Sequence, residues 1–222
     1  MKKLGFTLTE MLVALFVIGI LAAVTTPVIR KVVPDQNKVM IKRVYSLTTN
    51  IVKSLINDSQ IYSPMNDVGE RVYIGFDNFE RVIVDGESYG GDNKYGKFTD
   101  LFLNSLSVNK PQTSENCTIS FKESSLVTLN MNNNTCYKVT TKDGVLWTFI
   151  EPNENSEYTA FIMADVNGLK RPNCSEGSNA CATRKDGFDQ YIMGIRDDGK
   201  IKINMNDVWA RSAINNATTL ND

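Results

Sequence analysis

The chain has 222 residues, of which 42% are hydrophobic and 22% are charged, a composition typical of globular proteins rather than disordered ones. Its formal net charge is −1, so no overall basic field attracts nucleic acid, and we infer no specific nucleic acid binding. It contains no histidine, which removes the commonest general base and the commonest transition-metal ligand.

The first thirty residues combine two lysines with a long uncharged segment. Lys2 and Lys3 precede an apolar run from Met11 to Ile29. A helix over this run and the preceding FTLT would cover about 30 Å at about 1.5 Å per residue, which suffices to cross a bilayer. A secretory signal peptide, by contrast, would be cleaved after the apolar run, and the span would be lost. Glu10 is the exception in this segment, because an unpaired carboxylate in hydrocarbon is costly.

These residues closely resemble the amino terminus of bacterial type IV pilins and type II secretion pseudopilins. The resemblance rests on KKLG, on FTLTE and on the apolar helix that follows. In that family a membrane peptidase removes the leader after the glycine and methylates the new terminal amine. The resemblance therefore implies that residues 1–5 are a leader peptide, that cleavage separates Gly5 from Phe6, and that Phe6 is N-methylated.

The resemblance also implies a role for Glu10 in filament assembly. In the family, the glutamate of an incoming subunit meets the terminal amine of its neighbour, which would be Phe6 here. Two buried ions of opposite sign offset each other's desolvation, and the pair fixes the axial register. The alternative is that Glu10 extends to the lipid headgroups from the end of an ordinary anchor helix.

Two helical segments are expected before the head. Residues 6–33 would form the hydrophobic helix, which spans the membrane in the precursor and lies in the filament core after assembly. Residues 34–63 would continue as an amphipathic helix that ends at Ser63 and Pro64. The apolar stripe of this helix would pack on the head and consists of Val44, Leu47, Ile51 and Leu55.

Residues 64–222 would form a globular head. Glycines and aspartates in VDGESYGGDNKYGKFTD predict a surface loop, and a short helix is expected over Thr99–Ser107. CYKVTT and VLWTFIE flank a turn at Lys142–Gly144 and predict a hairpin, YTAFIMA predicts a strand, and YIMGIR and KIKIN predict a second hairpin. We therefore expect an α+β, pilin-like fold, with a long amino-terminal helix packed on an antiparallel sheet of four or five strands.

The four cysteines, Cys117, Cys136, Cys174 and Cys181, lack the CxxC spacing of a zinc ribbon. Two disulfides in an oxidising compartment are the favoured interpretation, and free buried thiols are the alternative. Of the three connectivities, we favour Cys117 with Cys136 and Cys174 with Cys181, because short loops close at the smallest entropic cost. Two disulfides would place the head outside the cytoplasm.

Oxygen-bearing side chains cluster between the two hairpins, namely Asp165, Asn167, Asp186 and Asp189. The stretch DVNG begins as a calcium-binding loop does, although no glutamate follows at its twelfth position. Major pseudopilins carry a calcium site in their carboxy-terminal loop, so the resemblance makes calcium a candidate ligand. The alternative is that these residues only form turns. No other cofactor is expected.

Three functions remain open. The first is a subunit of a type IV pilus, whose partners are other pilins, a prepilin peptidase and an inner-membrane assembly platform with an ATPase. It would be held by one span in the cytoplasmic membrane before it joins an extracellular pilus. The second is a pseudopilin of a periplasmic type II secretion filament, and the third is an adhesin or binding module held by a single membrane anchor. An enzyme is not expected, since there is no histidine base and the cysteines are assigned to disulfides.

Overall fold

The computed structural model describes residues 7–32, 36–62, 76, 82–90, 95–111, 113–152, 156–176, 181, 183 and 188–215, with residues 24–32 as backbone only. The chain divides into two units, Met1–Gln36 and Asn37–Asp222. Helix α1, Leu8–Val32, lies in the first unit. The described side chains of α1 are exposed. Within the described residues, no helix combines the length and the apolar character needed to cross a membrane.

Helix α2 covers Gln36–Ile56 and is amphipathic, and nearly all of it belongs to the second unit. Its buried face consists of Ile41, Val44, Thr48, Ile51, Val52 and Leu55. The predicted stripe was wrong at Leu47, which is 36% exposed. Thr48 is buried on this face instead of Leu47. Its hydroxyl donates a hydrogen bond to the Val44 carbonyl at 2.9 Å, so the hydroxyl is not left unpaired in the core. The helix ends at Ile56, earlier than Ser63 and Pro64 predict.

Among the described residues of the second unit, eight strands and two further helices accompany α2. Their bounds are β1 Val82–Val84, β2 Glu87–Tyr89, α3 Lys97–Ser105, β3 Glu115–Lys122, β4 Thr128–Thr140, β5 Leu146–Ile150, β6 Tyr158–Asp165, β7 Gln190–Arg196, β8 Ile201–Ile203 and α4 Val208–Asn215. Strands β3 to β8 form one six-stranded antiparallel meander in sequence order, and β1 pairs with β2. The predicted α+β class is confirmed, but the main sheet has six strands rather than four or five.

Both predicted hairpins, β4–β5 and β7–β8, are present in the sheet. The expectation of loop throughout VDGESYG was wrong, because Asp85 and Gly86 connect β1 to β2 in a two-residue turn. Their φ angles of 50° and 85° suit the turn that joins two adjacent antiparallel strands. Strand β3 was not predicted, although Cys117, Ile119 and Phe121 alternate with polar residues as a strand requires.

The sheet carries an apolar cluster on each face. The larger cluster joins α2 and α3 to one face, where the largest buried side chains are Phe98, Phe102, Trp147, Phe149 and Tyr191. The smaller cluster contains Phe121, Met131, Cys136, Ile150, Tyr158, Phe161 and Ile192. The sheet curls around this second cluster, because the Met205 N–H, just beyond β8, donates to the Lys122 carbonyl of β3 at 2.7 Å.

Two disulfides are present, Cys117–Cys136 and Cys174–Cys181, each with a Cα–Cα distance of 5.9 Å. The favoured connectivity is therefore confirmed. Cys117–Cys136 joins β3 to β4 within the smaller apolar cluster. Cys174–Cys181 packs with Phe188 and with Trp209 of α4, so it ties the loop before β7 to the carboxy-terminal helix.

Candidate functional site

Glu10 lies in the first turn of α1 and hydrogen-bonds to Thr7, the residue that precedes the helix. Oε2 of Glu10 accepts the Thr7 backbone N–H and the Thr7 hydroxyl, both at 2.8 Å. In return, Oγ1 of Thr7 accepts the Glu10 backbone N–H at 3.3 Å. This reciprocal arrangement is a capping box, which satisfies two backbone donors that a helix start leaves unpaired.

The capping box leaves one oxygen of the carboxylate available. Both donors from Thr7 bind Oε2, and no described residue donates to Oε1. Because the Thr7 side chain fixes the orientation of the carboxylate, Oε1 is presented at a defined position at the start of α1. The arrangement can accept one further donor or cation without breaking the cap.

The interpretation of Glu10 as an assembly residue overlooked this intrachain role. The signal was present in the sequence, since TLTE has the T-x-x-E spacing of a capping box immediately before an apolar run. Gly5 and Phe6, the residues assigned to cleavage and methylation, lie outside the described residues.

The oxygen ligands expected for calcium lie around the turn after β6. Asp165 is buried, and its Oδ2 accepts the side-chain N–H of Gln190 at 2.8 Å. Burial raises the pKa of Asp165 to about 6, and the neighbouring Asp189 carboxylate adds to this shift. Oδ1 of Asp165 and Oδ1 of Asn167 are buried and accept no hydrogen bond from the described residues.

Asp189 serves the loop backbone instead. Its carboxylate accepts the N–H of Asn173 at 2.9 Å and the N–H of Cys174 at 2.5 Å, and the side chain is fully buried. Asp186, the fourth expected ligand, is outside the described residues. Within the part of the chain that is described, no three acidic, histidine or cysteine side chains are arranged to hold a metal ion.

Another buried carboxylate, Asp207, precedes α4 and was not singled out by sequence reasoning. Its Oδ2 accepts the Ile192 N–H of β7 at 2.9 Å, and the residue is 1% exposed. Burial, with a smaller contribution from the carboxylate of Glu176, raises the pKa of Asp207 to about 7. Glu176 itself accepts the Trp209 N–H at 2.5 Å, so two acidic residues hold the first turn of α4 against the sheet and the disulfide loop.

Comparison with known proteins identifies the amino terminus. Residues 1–26 match the family model of the prokaryotic N-terminal methylation motif. No curated protein and no solved structure matches the chain significantly.

Proposed function

We propose that this chain, whose first 26 residues carry the N-terminal methylation motif of type IV pilins and pseudopilins, is a structural subunit of a type IV pilus or pilus-like filament. The match to that motif is the observation that carries the proposal. The motif implies a membrane-anchored precursor, processing by a prepilin peptidase and assembly with other pilins.

Processing between Gly5 and Phe6 would leave Thr7 as the second residue of the mature chain. The capping box would therefore survive cleavage, since both of its members lie downstream of the cut. In the proposed filament, Oε1 of Glu10 accepts a hydrogen bond from the methylated amine of Phe6 of a neighbouring subunit, while Oε2 keeps its hydrogen bonds to Thr7. The capping box thus supports assembly by holding the carboxylate in position before the partner arrives.

The experiment compares wild type with Glu10→Ala in cells that contain the prepilin peptidase and the assembly platform. Mass spectrometry of the wild-type protein should show a chain that begins at methylated Phe6, and electron microscopy should show filaments that contain it. Glu10→Ala should be processed normally but should not polymerise. If Glu10→Ala polymerises at the wild-type rate, the assembly role of Glu10 is excluded.

The same purified protein distinguishes the two alternative functions. A processed subunit that is confined to the periplasm, and whose loss blocks protein export, would be a pseudopilin of a type II secretion system. An unprocessed chain that retains residues 1–5 would instead support the membrane-anchored adhesin or binding module.

Calcium is proposed as a ligand of the turn after β6. The support is chemical, because the buried Oδ1 atoms of Asp165 and Asn167 are hard oxygen donors without hydrogen-bond partners in the described part of the chain. Thermal unfolding in calcium and in a chelator tests this. Binding should raise the melting temperature of wild type but not that of Asp165→Asn, and equal melting temperatures in both solutions would exclude calcium.

A further inference from the structure

Strand β8 forms one edge of the six-stranded sheet, because β7 is its only partner among the described strands. The Asn204 N–H, just beyond β8, donates to the Ile192 carbonyl at 2.9 Å. Hydrogen-bonded positions alternate along an antiparallel strand, so Lys202 directs its N–H and C=O toward β7. Ile201 and Ile203 therefore direct theirs away from the sheet, where a further strand can pair with them.

A cavity of about 500 Å³ lies beside this free edge, and all three residues of β8 line it. This volume is within the range of about 300 to 1,000 Å³ that is typical of binding sites. The opposite walls come from the β3–β4 turn, from α4 and from α2, through Ser124, Ser125, Arg211, Ile214 and Tyr45. The outward backbone groups of β8 thus face open space rather than another described strand.

Hydrogen bonds hold the walls of the cavity together. The Met205 N–H donates to the Lys122 carbonyl at 2.7 Å, and the Lys122 N–H donates to Oδ1 of Asn204 at 3.0 Å. The residues after β8 are therefore fixed against the end of β3. Nη1 of Arg211 donates to the Met205 carbonyl at 3.5 Å, which orients this side chain. A site whose walls are held in this way loses little freedom when a ligand enters.

The charged groups of the cavity favour an anionic ligand. Lys202 is exposed at the centre of β8, and Arg211 is half-buried on α4. Neither cation forms an ion pair within the part of the chain that the structure describes. Glu123 also lines the cavity, but its carboxylate lies 3.6 Å from Nη1 of Arg196. Two cations are therefore available to carboxylates that enter from outside.

The position of Lys202 also disfavours a second copy of β8 as the occupant. If β8 strands of two copies paired antiparallel about their centres, the two Lys202 side chains would lie directly opposite each other. Like charges at opposed positions destabilise a strand pair, whereas a carboxylate opposite a lysine stabilises it. The edge therefore selects a strand of different sequence, with an acidic residue at its centre.

We propose that β8 binds an extended peptide segment of a partner protein as an additional antiparallel strand, with an acidic residue of that segment opposite Lys202 and apolar residues opposite Ile201 and Ile203. The backbone groups of Ile201 and Ile203 supply main-chain hydrogen bonds, and the alternating side chains supply specificity. The apolar residues of the segment would lie on the face where Ile201 and Ile203 pack on the larger apolar cluster. This binding activity goes beyond the proposed filament role and does not depend on it.

The first test measures whether the full chain in detergent binds a fluorescein-labelled peptide, Thr-Val-Glu-Val-Thr, by fluorescence anisotropy. We expect a saturable rise in anisotropy that unlabelled peptide reverses. Hydrogen–deuterium exchange should slow at residues 201–203 and stay unchanged in β3, the other edge of the sheet. Absence of saturable binding, or equal protection of both edges, overturns the inference.

Methylation of the peptide backbone tests strand addition itself. In the antiparallel ladder the two valines form hydrogen-bonded pairs with Ile201 and Ile203, and the glutamate lies opposite Lys202 without bonding to its backbone. N-methylation of both valines should therefore abolish binding, and N-methylation of the glutamate should preserve it. If the two methylated peptides bind alike, or if only methylation of the glutamate weakens binding, the inference fails.

Charge exchange tests the acidic residue. Lys202→Glu should weaken binding of the peptide by about twofold to fivefold, and it should strengthen binding of Thr-Val-Lys-Val-Thr by a similar factor, as expected for one cross-strand charge pair. Lys170→Glu is the matched control, since Lys170 is an exposed lysine outside the cavity lining, and it should change neither affinity. Identical behaviour of the two variants would exclude Lys202 from recognition and overturn the inference.

A peptide with the sequence of residues 200–204, Lys-Ile-Lys-Ile-Asn, tests a second copy as the occupant. It should not compete with the acidic peptide, and competition at equal concentration would contradict the proposal. All these measurements use single chains in detergent, so their failure leaves the proposed filament function intact. Conversely, failure of wild type to form filaments would leave peptide binding intact.

Discussion

Gly168 packs directly on the backbone of Gly144, so that a Cβ on Gly168 would lie 2.3 Å from the Gly144 carbonyl oxygen. The two glycines lie in the turns after β6 and after β4, and both have positive φ angles, 69° and 87°. A Cβ on Gly144 would meet nothing within 4 Å. The contact therefore needs glycine at Gly168 for space as well as for conformation, and at Gly144 for conformation alone.

The pair gives a matched comparison of alanine variants. Gly144→Ala should lower the free energy of unfolding by about 1 to 2 kcal/mol, the cost of a positive φ for an L residue. Gly168→Ala should cost about 1 to 3 kcal/mol more, because the backbone of the neighbouring turn must also move. Chemical denaturation of both variants in detergent measures the difference. If both variants lose the same free energy of unfolding, the two turns can move apart without an energetic cost.

The hydroxyl of Thr7 should matter for assembly through Glu10. Thr7→Val removes both hydroxyl hydrogen bonds of the capping box, whereas Thr7→Ser retains them. We expect processing of Thr7→Val at Gly5 and Phe6 to continue but filament yield to fall roughly fivefold, the ratio expected for a lost N-cap hydroxyl. Thr7→Ser should assemble like wild type. Quantitative immunoblots of sheared filaments provide the measurement, and wild-type yield from Thr7→Val would remove Thr7 from the assembly mechanism.

The buried carboxyl of Asp207 should make the head less stable as the pH rises. Because burial raises its pKa from 3.8 to about 7, the folded state keeps a proton that the unfolded state has released between these two values. Stability is therefore lost as pH rises through this window and levels off above pH 7. The loss between pH 5 and pH 8 should be about 3 kcal/mol, at about 1.4 kcal/mol per pH unit.

Asp207→Asn isolates this contribution from that of other titrating groups. The amide oxygen of the variant can still accept the Ile192 N–H, but the side chain stays neutral at every pH. Denaturation of both proteins at pH 5 and pH 8 should show a smaller pH dependence in the variant, by about 3 kcal/mol. An identical pH dependence would mean that Asp207 titrates as an ordinary carboxyl.

The two disulfides should contribute unequally to stability. Cys117–Cys136 closes a loop with a sequence separation of 19, and Cys174–Cys181 one of 7. Loop-closure entropy gives about 3 kcal/mol for the first and about 2 kcal/mol for the second. Paired alanine variants and chemical denaturation test this order, which would be contradicted if the shorter loop contributed more.

The same variants report on α4. Trp209 packs with the Cys174–Cys181 disulfide, so its fluorescence should change when that disulfide is replaced by alanines. Replacement of Cys117 and Cys136 should leave the emission of Trp209 unaltered, because that disulfide lies in the other cluster. A fluorescence change in both variants would indicate a general loosening rather than a local effect.

Local sequence patterns predicted the hairpins well. Asp143 and Gly144 correctly predicted the β4–β5 turn. Asp85 and Gly86 form the same Asp-Gly pattern at the β1–β2 turn, but the sequence there was interpreted as a surface loop. Strand β3 was missed because its alternation is carried by a cysteine, an isoleucine and one phenylalanine among polar residues. A strand with so few apolar residues becomes evident only when a partner strand supplies its hydrogen bonds.

The face of α2 was less predictable than its helical state. Leu47 has the spacing and the apolar character of a buried residue, yet Thr48 is the residue that enters the core. Which of two adjacent residues is buried depends on the rotation of the helix against the sheet, and that rotation is fixed by the packing of Ile41 and Val44.

The sequence by itself determined the methylation motif, the amphipathic character of α2 and the turns of the β4–β5 and β7–β8 hairpins, because these depend on residues that are close along the chain, and it favoured the observed pairing of the cysteines. Tertiary structure decided the features that depend on distant residues. Burial of Asp207 against Ile192 and the contact of Gly168 with Gly144 both require the meander to bring distant parts of the chain together. Charge and shape at a surface are sums over such parts, and no local pattern records which parts will be neighbours.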